Sequence, residues 1–370
     1  MAFNYYQSIT VDKTKVPNTD QTNFPVYVGG TYAGAGNIAD LRTVANGGKV
    51  QNANGYDIYF YSDSTLTTRL AAERVVYNAT TGVVEFHVKI PTLTTATDYV
   101  FYMAYGDSSI ATDPNSDATY GKTSTWNSNF KGVYHYADGT TLSVADSTAT
   151  GNNGTNTGIT ATTGKVDGGA NASSTVTNRI DYGDFSAVES ISTYTMSCWL
   201  KPAALTTAYA YLNFVKGSGA TSGVGHVTGG PADATTSGIL HIVRNGGNTY
   251  GYTGTGKLAV GTWAYLTAVY DGGQATNATK LKIYINGTQE TLTFVGTIPT
   301  TTPSNSYNAG SFGSGIAQVF EGVIDESRIS VNAQTSDWIN TEYNNLSSPS
   351  TFYTNGTQIS INKSGFFFAV

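Results

Sequence analysis

Charge is scarce in this chain. Asp, Glu, Lys and Arg make up 12% of its 370 residues, about half the roughly 25% usual for a globular protein. The balance is acidic, net −6 with a pI near 5.1, so no basic field exists to hold a phosphate backbone and nucleic acid is not an expected partner. Cysteine is almost absent: Cys198 alone permits neither an intrachain disulfide nor a cysteine-based metal site, and it reads as a small buried hydrophobe. His135, His226 and His241 show no zinc spacing, and neither a phosphate-cradling Gly-Lys-Ser/Thr motif nor a Gly-x-Ser-x-Gly elbow occurs. No apolar run approaches the roughly 18 residues of a membrane span, which argues against membrane insertion. Residues 1–8 carry neither a basic nor an apolar stretch, so no secretory signal is visible.

What fills the chain instead is Thr, Asn, Ser and 42 Gly, with 12% aromatic residues and 26 Tyr. That mixture favours many short strands, tight turns and a polar, uncharged surface over long helices. It is a composition common in proteins that work outside cells. A virion protein released by lysis would combine it with a missing export signal, as would a chain whose signal had been removed; a virion or extracellular surface is therefore the expected location.

The clearest strand is the run Tyr194 to Pro202. Tyr194, Met196, Cys198 and Leu200 share one parity while Thr195, Ser197 and Lys201 share the other, the alternation of a strand with one covered face. Trp199 breaks it. Leu281 to Ile285 alternates likewise and runs into Asn286-Gly287, the dipeptide that best tolerates positive φ in a tight hairpin, which predicts a return strand over Thr288 to Phe294. Trp263 to Tyr270 is apolar on both parities, which predicts a central strand. Three such strands require a second sheet to cover them.

The blocks "Y-T-M-S-C-W-L-K-P", "G-T-W-A-Y-L-T-A-V-Y-D", "L-K-I-Y-I-N-G" and "F-E-G-V-I-D-E-S-R-I-S", in that order, resemble the laminin-G-like, concanavalin A-like jelly-roll domains over about residues 127–356. The resemblance implies a two-sheet antiparallel sandwich and by itself no ligand. Residues 1–112 predict a separate β-domain, with strands at Phe3 to Val11, Phe24 to Val28, Asp57 to Tyr61, Val83 to Ile90 and Tyr99 to Tyr105. In the fourth of these His87 falls on the polar parity and is expected at the sheet surface. Blocks such as "N-F-P-V-Y-V", "G-Y-D-I-Y-F-Y-S-D-S" and "T-G-V-V-E-F-H-V-K-I-P-T-L" are similar to a domain family of unknown function that commonly precedes laminin-G-like domains in bacterial surface and phage structural proteins. No functional residue carries over from it.

The expected architecture is thus all-β: an N-terminal antiparallel β-sandwich (1–112), a polar linker (113–126), the jelly-roll sandwich (127–356), and an apolar tail (357–370) suited to strand addition or a subunit contact. Trp126 reads as the opening of the second domain. Gly217 to Gly238 has no strand pattern and reads as a long loop at a sandwich end, where ligands are met.

Glu321 and Asp325 stand at the i, i+4 spacing that jelly-roll glycosidases use for their carboxylates, but Val323 occupies the place of the expected third acid, and Asp325, Glu326 and Arg328 read as an ion-pair set. The protein is expected to be no enzyme. The laminin-G resemblance implies that a Ca²⁺ can sit at a loop end on hard oxygen ligands; Asp146 with Asn152 and Asn153 is one oxygen-rich cluster, and Asp181, Asp184 and Asp325 another. Asn245, Asn248, Tyr250 and Tyr252 supply flat rings and neutral hydrogen-bonding groups suited to an uncharged glycan. The expectation is a non-enzymatic virion or cell-surface structural protein of phage type that adheres to polysaccharide or a host-surface glycan and contacts its own copies or other virion proteins. A pure scaffold, and after it a polysaccharide hydrolase, are the alternatives.

Overall fold

The computed structural model describes residues 2–31, 37–173, 175, 177–205, 210–218, 221–228, 238–312 and 320–361. The chain forms two compact units, Met1–Trp126 with Asn344–Val370, and Asn127–Tyr343. Both are built from antiparallel sheets.

The first unit holds β1 (Tyr5–Val11), β2 (Gln21–Gly30), β3 (Ile58–Tyr61), β4 (Ala72–Tyr77), β5 (Val84–Leu93) and β6 (Tyr99–Tyr105). Strands β2, β5 and β4 form one sheet in that order, and β1, β6 and β3 pair in another. Alternation decides what lies between them. Ile9, Phe60, Phe101 and Met103 point in from one sheet and Val26, Phe86 and Val88 from the other, all buried. Phe60 meets Phe86 edge-on with ring centroids 5.1 Å apart, the geometry favoured by the ring quadrupole.

The second unit begins with β7 (Phe130–Tyr134), β8 (Thr155–Thr157), β9 (Thr160–Thr163), β10 (Gly168–Ala172), β11 (Arg179–Asp181) and β12 (Thr193–Pro202). Next come β13 (Ala210–Ser218), β14 (Ser222–Thr228), β15 (Ile239–Asn245), β16 (Tyr250–Tyr252), β17 (Ala264–Asp271) and β18 (Leu281–Ile285). It ends with β19 (Thr288–Gln289), β20 (Thr293–Val295), β21 (Ala309–Ser311) and β22 (Gly322–Ser330). One sheet runs β19-β18-β17-β12-β22-β10-β9, with β7 also paired to β22; the other runs β20-β16-β15-β14-β13-β21-β11-β8. Tyr194, Met196, Cys198 and Leu200 turn inward and share one core with Leu212 and Phe214 of β13 and Val243 of β15. Trp199 faces the other way, where the rings of Tyr265 and Tyr343 lie 5.0 and 5.9 Å from it. Tyr343 belongs to the helix Ser336–Ser347, so the break in alternation marks a strand whose outer face is also covered.

Strand β23 (Tyr353–Ser360) completes the first unit by pairing antiparallel with β1, Val11 opposite Tyr353 and Tyr5 opposite Ser360, in the order β23-β1-β6-β3. The chain therefore leaves the jelly roll at Tyr343, not at 356. Residues 362–370, with the apolar tail end, lie outside the described residues.

Other differences have local causes. The stretch 113–126 is packed into the first unit rather than a free linker: Asp113 and Asp117 pair with Arg74 at 3.1 Å and Arg69 at 2.8 Å. Trp126 Nε1 donates to Glu73 at 2.7 Å, which keeps that residue in the first unit. His87 is buried, not at a sheet surface, because the Trp126 and Tyr27 rings stand 5.2 and 5.7 Å from it. The hairpin after β18 turns at Asn286 and Gly287, φ +52° and +78°, as the dipeptide demands, yet its return strand stops at Gln289. Phe294 belongs instead to β20, which pairs with β16 in the opposite sheet. Within the segment read as one long loop lies β14, whose Gly223 and Gly225 hide its alternation.

Candidate functional site

Three pieces of chain meet at one end of the second sheet of the jelly roll: Thr221 just before β14, the turn from β15 to β16, and the segment after β20. Gly246 N donates to Thr221 O at 2.8 Å. Asn245 Nδ2 lies 3.2 Å from Thr301 O and 3.4 Å from Thr302 O, and Asn305 Nδ2 donates to Ser222 Oγ at 2.9 Å. Asn248 is exposed on the same turn. The result is a rim of amides and hydroxyls, several held by one another, which suits it to hydrogen-bond neutral hydroxyl groups; the Glu189 carboxylate beside it accepts from Ser304 at 3.2 Å and pairs with Lys216.

Asn245 and Asn248 thus fall on one rim, but the two tyrosines grouped with them do not. Tyr250 is 3% exposed and packs with Val215, Val227, Leu240 and Ile242 in a cluster on the outward face of this sheet. Its ring has no face left for a sugar, so its place in the ligand set is corrected to that of a packing residue. Tyr252 is only partly exposed at the edge of that cluster. Both tyrosines lie on strand β16 rather than in the turn, and the outward face of this sheet is itself apolar, so a tyrosine on it need not meet solvent.

The oxygen-rich clusters behave differently from the expected cation sites. Asp146 Oδ1 accepts from Val133 N at 3.1 Å and Thr148 N at 2.9 Å, while Oδ2 accepts from Thr148 Oγ1 and Asn152 N, each at 2.9 Å. Both oxygens are met by N–H and O–H donors, so Asp146 staples its loop and turns no open oxygen to a cation. Asn152 contributes its backbone, its carbonyl accepting from Tyr134 Oη at 2.5 Å. Asp325 is fully buried; its Oδ2 accepts from Lys165 N and Val166 N at 2.9 Å, and among the described residues its Oδ1 has no hydrogen-bond partner. Burial first, and then the neighbouring Glu326 carboxylate, push its acid strength well down, holding its pKa well above the usual range. A single open oxygen inside a strand falls short of the six to eight that Ca²⁺ takes, so neither Asp146 with Asn152 nor Asp325 fits that ion. Sealed from solvent, Asp325 also cannot meet a glycosidic bond in partnership with Glu321.

Beside it lies a charge network of which the sequence revealed only part. Arg328 Nη1 donates to Glu342 Oε1 at 2.6 Å and Nη2 to Glu326 Oε2. Tyr265 Oη donates to Glu342 Oε2 at 2.6 Å, and His135 Nδ1 lies 2.5 Å from Glu326 Oε1. Glu326 takes φ +49° where β22 bulges against β12 between Ser197 and Trp199, which puts two consecutive carboxylates on the strand's outer side. Asp325, Glu326 and Arg328 were legible as neighbours in sequence. Glu342, Tyr265 and His135 were not, since each comes from a distant element.

Residues 177–340 match the concanavalin A-like lectin/glucanases superfamily. A comparison with curated proteins finds no match. Similar solved structures include domain 4 of AbnA, an extracellular arabinanase of Geobacillus stearothermophilus in complex with arabinotriose: 23% identity, 58% of this chain and 98% of that one, TM-score 0.45. Two others are the binding domain of a paraclostridial mosquitocidal protein, at 13% identity, 58% and 52% coverage and TM-score 0.44, and the botulinum neurotoxin type G receptor-binding domain, at 14%, 58%, 51% and 0.40. The chain spans about half the length of these last two. At such identities and scores nothing about ligands passes from them to this chain. Among the described residues no helix is long and apolar enough to cross a membrane.

Proposed function

We propose that this chain is a binding protein that holds polysaccharide at the loop end of its jelly roll without cleaving it, in a virion or at a cell surface. The observation that carries the reading is the rim of braced neutral groups around Asn245, Asn248, Thr301 and Asn305 on a unit that matches a lectin and glucanase superfamily. The buried carboxylates of β22 support binding over hydrolysis, because paired acids must reach the scissile bond from a solvent-open cleft. The virion setting rests on the resemblance of residues 1–112 alone, and self-association on the apolar residues at the chain's end.

The test is retardation of the purified chain on a polysaccharide panel, with Ca²⁺ and again with a chelator, while released reducing ends are assayed. Retardation without new reducing ends, lost in Asn248→Ala, supports the reading. Cleavage, or no retardation under either condition, overturns it.

A further inference from the structure

The first unit carries a groove that neither the family match nor the loop-end reading involves. It measures about 780 Å³ and is lined by Phe3, Tyr6, Tyr61, Leu66, Tyr120 and Ile361, together with Ser64, Thr65, Thr67, Arg69 and Asp117. That volume lies within the roughly 300–1,000 Å³ of ordinary ligand clefts.

Its floor follows from strand alternation. At one end of β1, β6 and β3 the residues that do not enter the core are Tyr6, Tyr102, Ala104, Tyr59 and Tyr61; farther along β1 and β6 the same face carries Ser8, Thr10 and Val100. Register sets Tyr6 and Tyr59 on either side of Ala104, and Tyr102 beside Tyr61. The end of this outer face that meets the groove is therefore tiled with rings, while Ser8 and Thr10 give the rest of β1 the polar character an exposed face normally carries. Tyr6 stands edge-on to Tyr102 with centroids 5.9 Å apart, and Phe3 edge-on to Tyr59 and Tyr61 at 5.5 and 6.0 Å. Tyr6, Tyr102 and Tyr120 remain partly exposed.

The walls are polar and fixed. Arg69 places its guanidinium 3.9 Å from the Tyr59 ring centroid and 4.8 Å from that of Tyr120, and pairs with Asp117 at 2.8 Å. In the loop after β3, Asp63 Oδ1 accepts from the hydroxyls of Thr65 at 2.5 Å and Thr67 at 3.0 Å, and Oδ2 accepts from Thr68 N at 2.7 Å. The two hydroxyl oxygens lie 3.3 Å from each other, and with their protons on Asp63 each keeps a lone pair able to accept a further hydrogen bond.

We infer that this groove is a second carbohydrate site, which binds a segment of uncharged polysaccharide. Sugar rings present C–H groups on their faces and hydroxyls on their edges. The first match the electron-rich faces of Tyr6 and Tyr120, and the second match the threonine oxygens, the Arg69–Asp117 pair and the tyrosine hydroxyls. Among the described lining residues the only charges are Arg69 and Asp117, which neutralise each other, so the groove favours a neutral chain over an anionic one. The rings and the loop are already held in place, so little ordering cost falls on binding.

The test is affinity electrophoresis of the full chain in gels containing hydroxyethylcellulose, arabinoxylan or galactomannan, with polygalacturonate as the anionic probe. At least one neutral polymer should retard the wild type. Tyr6→Ala and Tyr120→Ala should each weaken that retardation about tenfold, as loss of a ring anchor does, while Tyr6→Phe should stay within about twofold. Thr65→Ala, on an exposed loop away from the sheet, should weaken binding with an unchanged unfolding midpoint, which separates binding from folding. Retardation lost in Asn248→Ala but untouched by the tyrosine changes would leave the jelly-roll reading standing and overturn this one; the reverse pattern would do the opposite. Retardation by no neutral polymer, retardation by polygalacturonate alone, or a Tyr6→Ala variant that turns a dimer into a monomer by light scattering also overturns it.

Discussion

The Nδ1 atoms of His226 and His241 lie 3.3 Å apart, fully buried between the two sheets of the jelly roll. The two residues face each other in register on β14 and β15. His241 Nε2 is 2.6 Å from Tyr194 Oη, and His226 Nε2 is 3.3 Å from Met196 O. One proton assignment satisfies every contact: Tyr194 donates to His241 Nε2, His241 Nδ1–H to His226 Nδ1, and His226 Nε2–H to the carbonyl. Both rings are then neutral, and an added proton would set two N–H groups against each other.

Acid sensitivity follows. Burial lowers the pKa of His226 to about 4 and that of His241 well below its usual value. In the unfolded chain both titrate near 6.5, so as pH falls below 6.5 the unfolded state takes up protons that the folded state refuses. Stability is fully present above pH 6.5 and is lost down to about pH 4, where the folded His226 also protonates; for His226 alone that interval is worth on the order of 3 kcal/mol, and His241 adds in the same direction. Asp325, with its raised pKa, acts in the opposite sense. The comparison to make is therefore between wild type and His226→Gln in urea at several pH values, followed by the fluorescence of Trp199, Trp263 and Trp338. The variant should show a shallower decline below pH 6.5; parallel declines would refute the assignment.

Arg328 gives the largest expected single loss. It is enclosed by the carboxylates of Glu326 and Glu342, and removing it leaves two buried carboxylates without their guanidinium. Arg328→Met should destabilise the second unit by about 3–5 kcal/mol, whereas replacing all three members by apolar residues of similar volume should restore much of it. Denaturant midpoints of the single and triple variants decide this; an additive triple loss would contradict it.

How much of this was legible beforehand depended on where partners lie along the chain. Strands β5, β12 and β18 showed in the sequence because alternation is local, β17 because an unbroken apolar run is local too, and Asn286-Gly287 because positive φ is a property of the residues themselves. Strand β4 was missed because Glu73 and Arg74 interrupt its apolar pattern and find their own partners, Trp126 and Asp113. Cys198 was read as a buried hydrophobe and is one, through its parity. Tyr250 was misplaced because the three-residue strand β16 is too short to show a pattern, and the Tyr6–Tyr102–Tyr61 surface was overlooked because alternation distinguishes the two faces of a strand without saying which face another layer covers.

Asp146 offers a test of the calcium expectation. Its carboxylate accepts four hydrogen bonds from its own loop and from Val133, so Asp146→Ala strands buried donors and should cost about 1–3 kcal/mol with or without calcium. Addition of Ca²⁺ should shift the melting temperatures of wild type and variant equally. A calcium-dependent stabilisation present only in the wild type would return Asp146 to the list of ligands.

Tyr250 and Asn248 separate packing from contact on a single turn. Tyr250 fills the cluster of Val215, Val227, Leu240 and Ile242, so Tyr250→Ala should open a cavity and cost about 3–5 kcal/mol, the range for large aromatic truncations in a core. Asn248 is exposed on the rim, so Asn248→Ala should leave stability within about 0.5 kcal/mol of wild type and act on polysaccharide retardation alone. Denaturation and affinity electrophoresis of the two variants, run side by side, read both quantities. If Tyr250→Ala unfolds at the wild-type denaturant concentration, the ring does not fill that cluster; if Asn248→Ala loses no binding, the rim is not where the glycan rests.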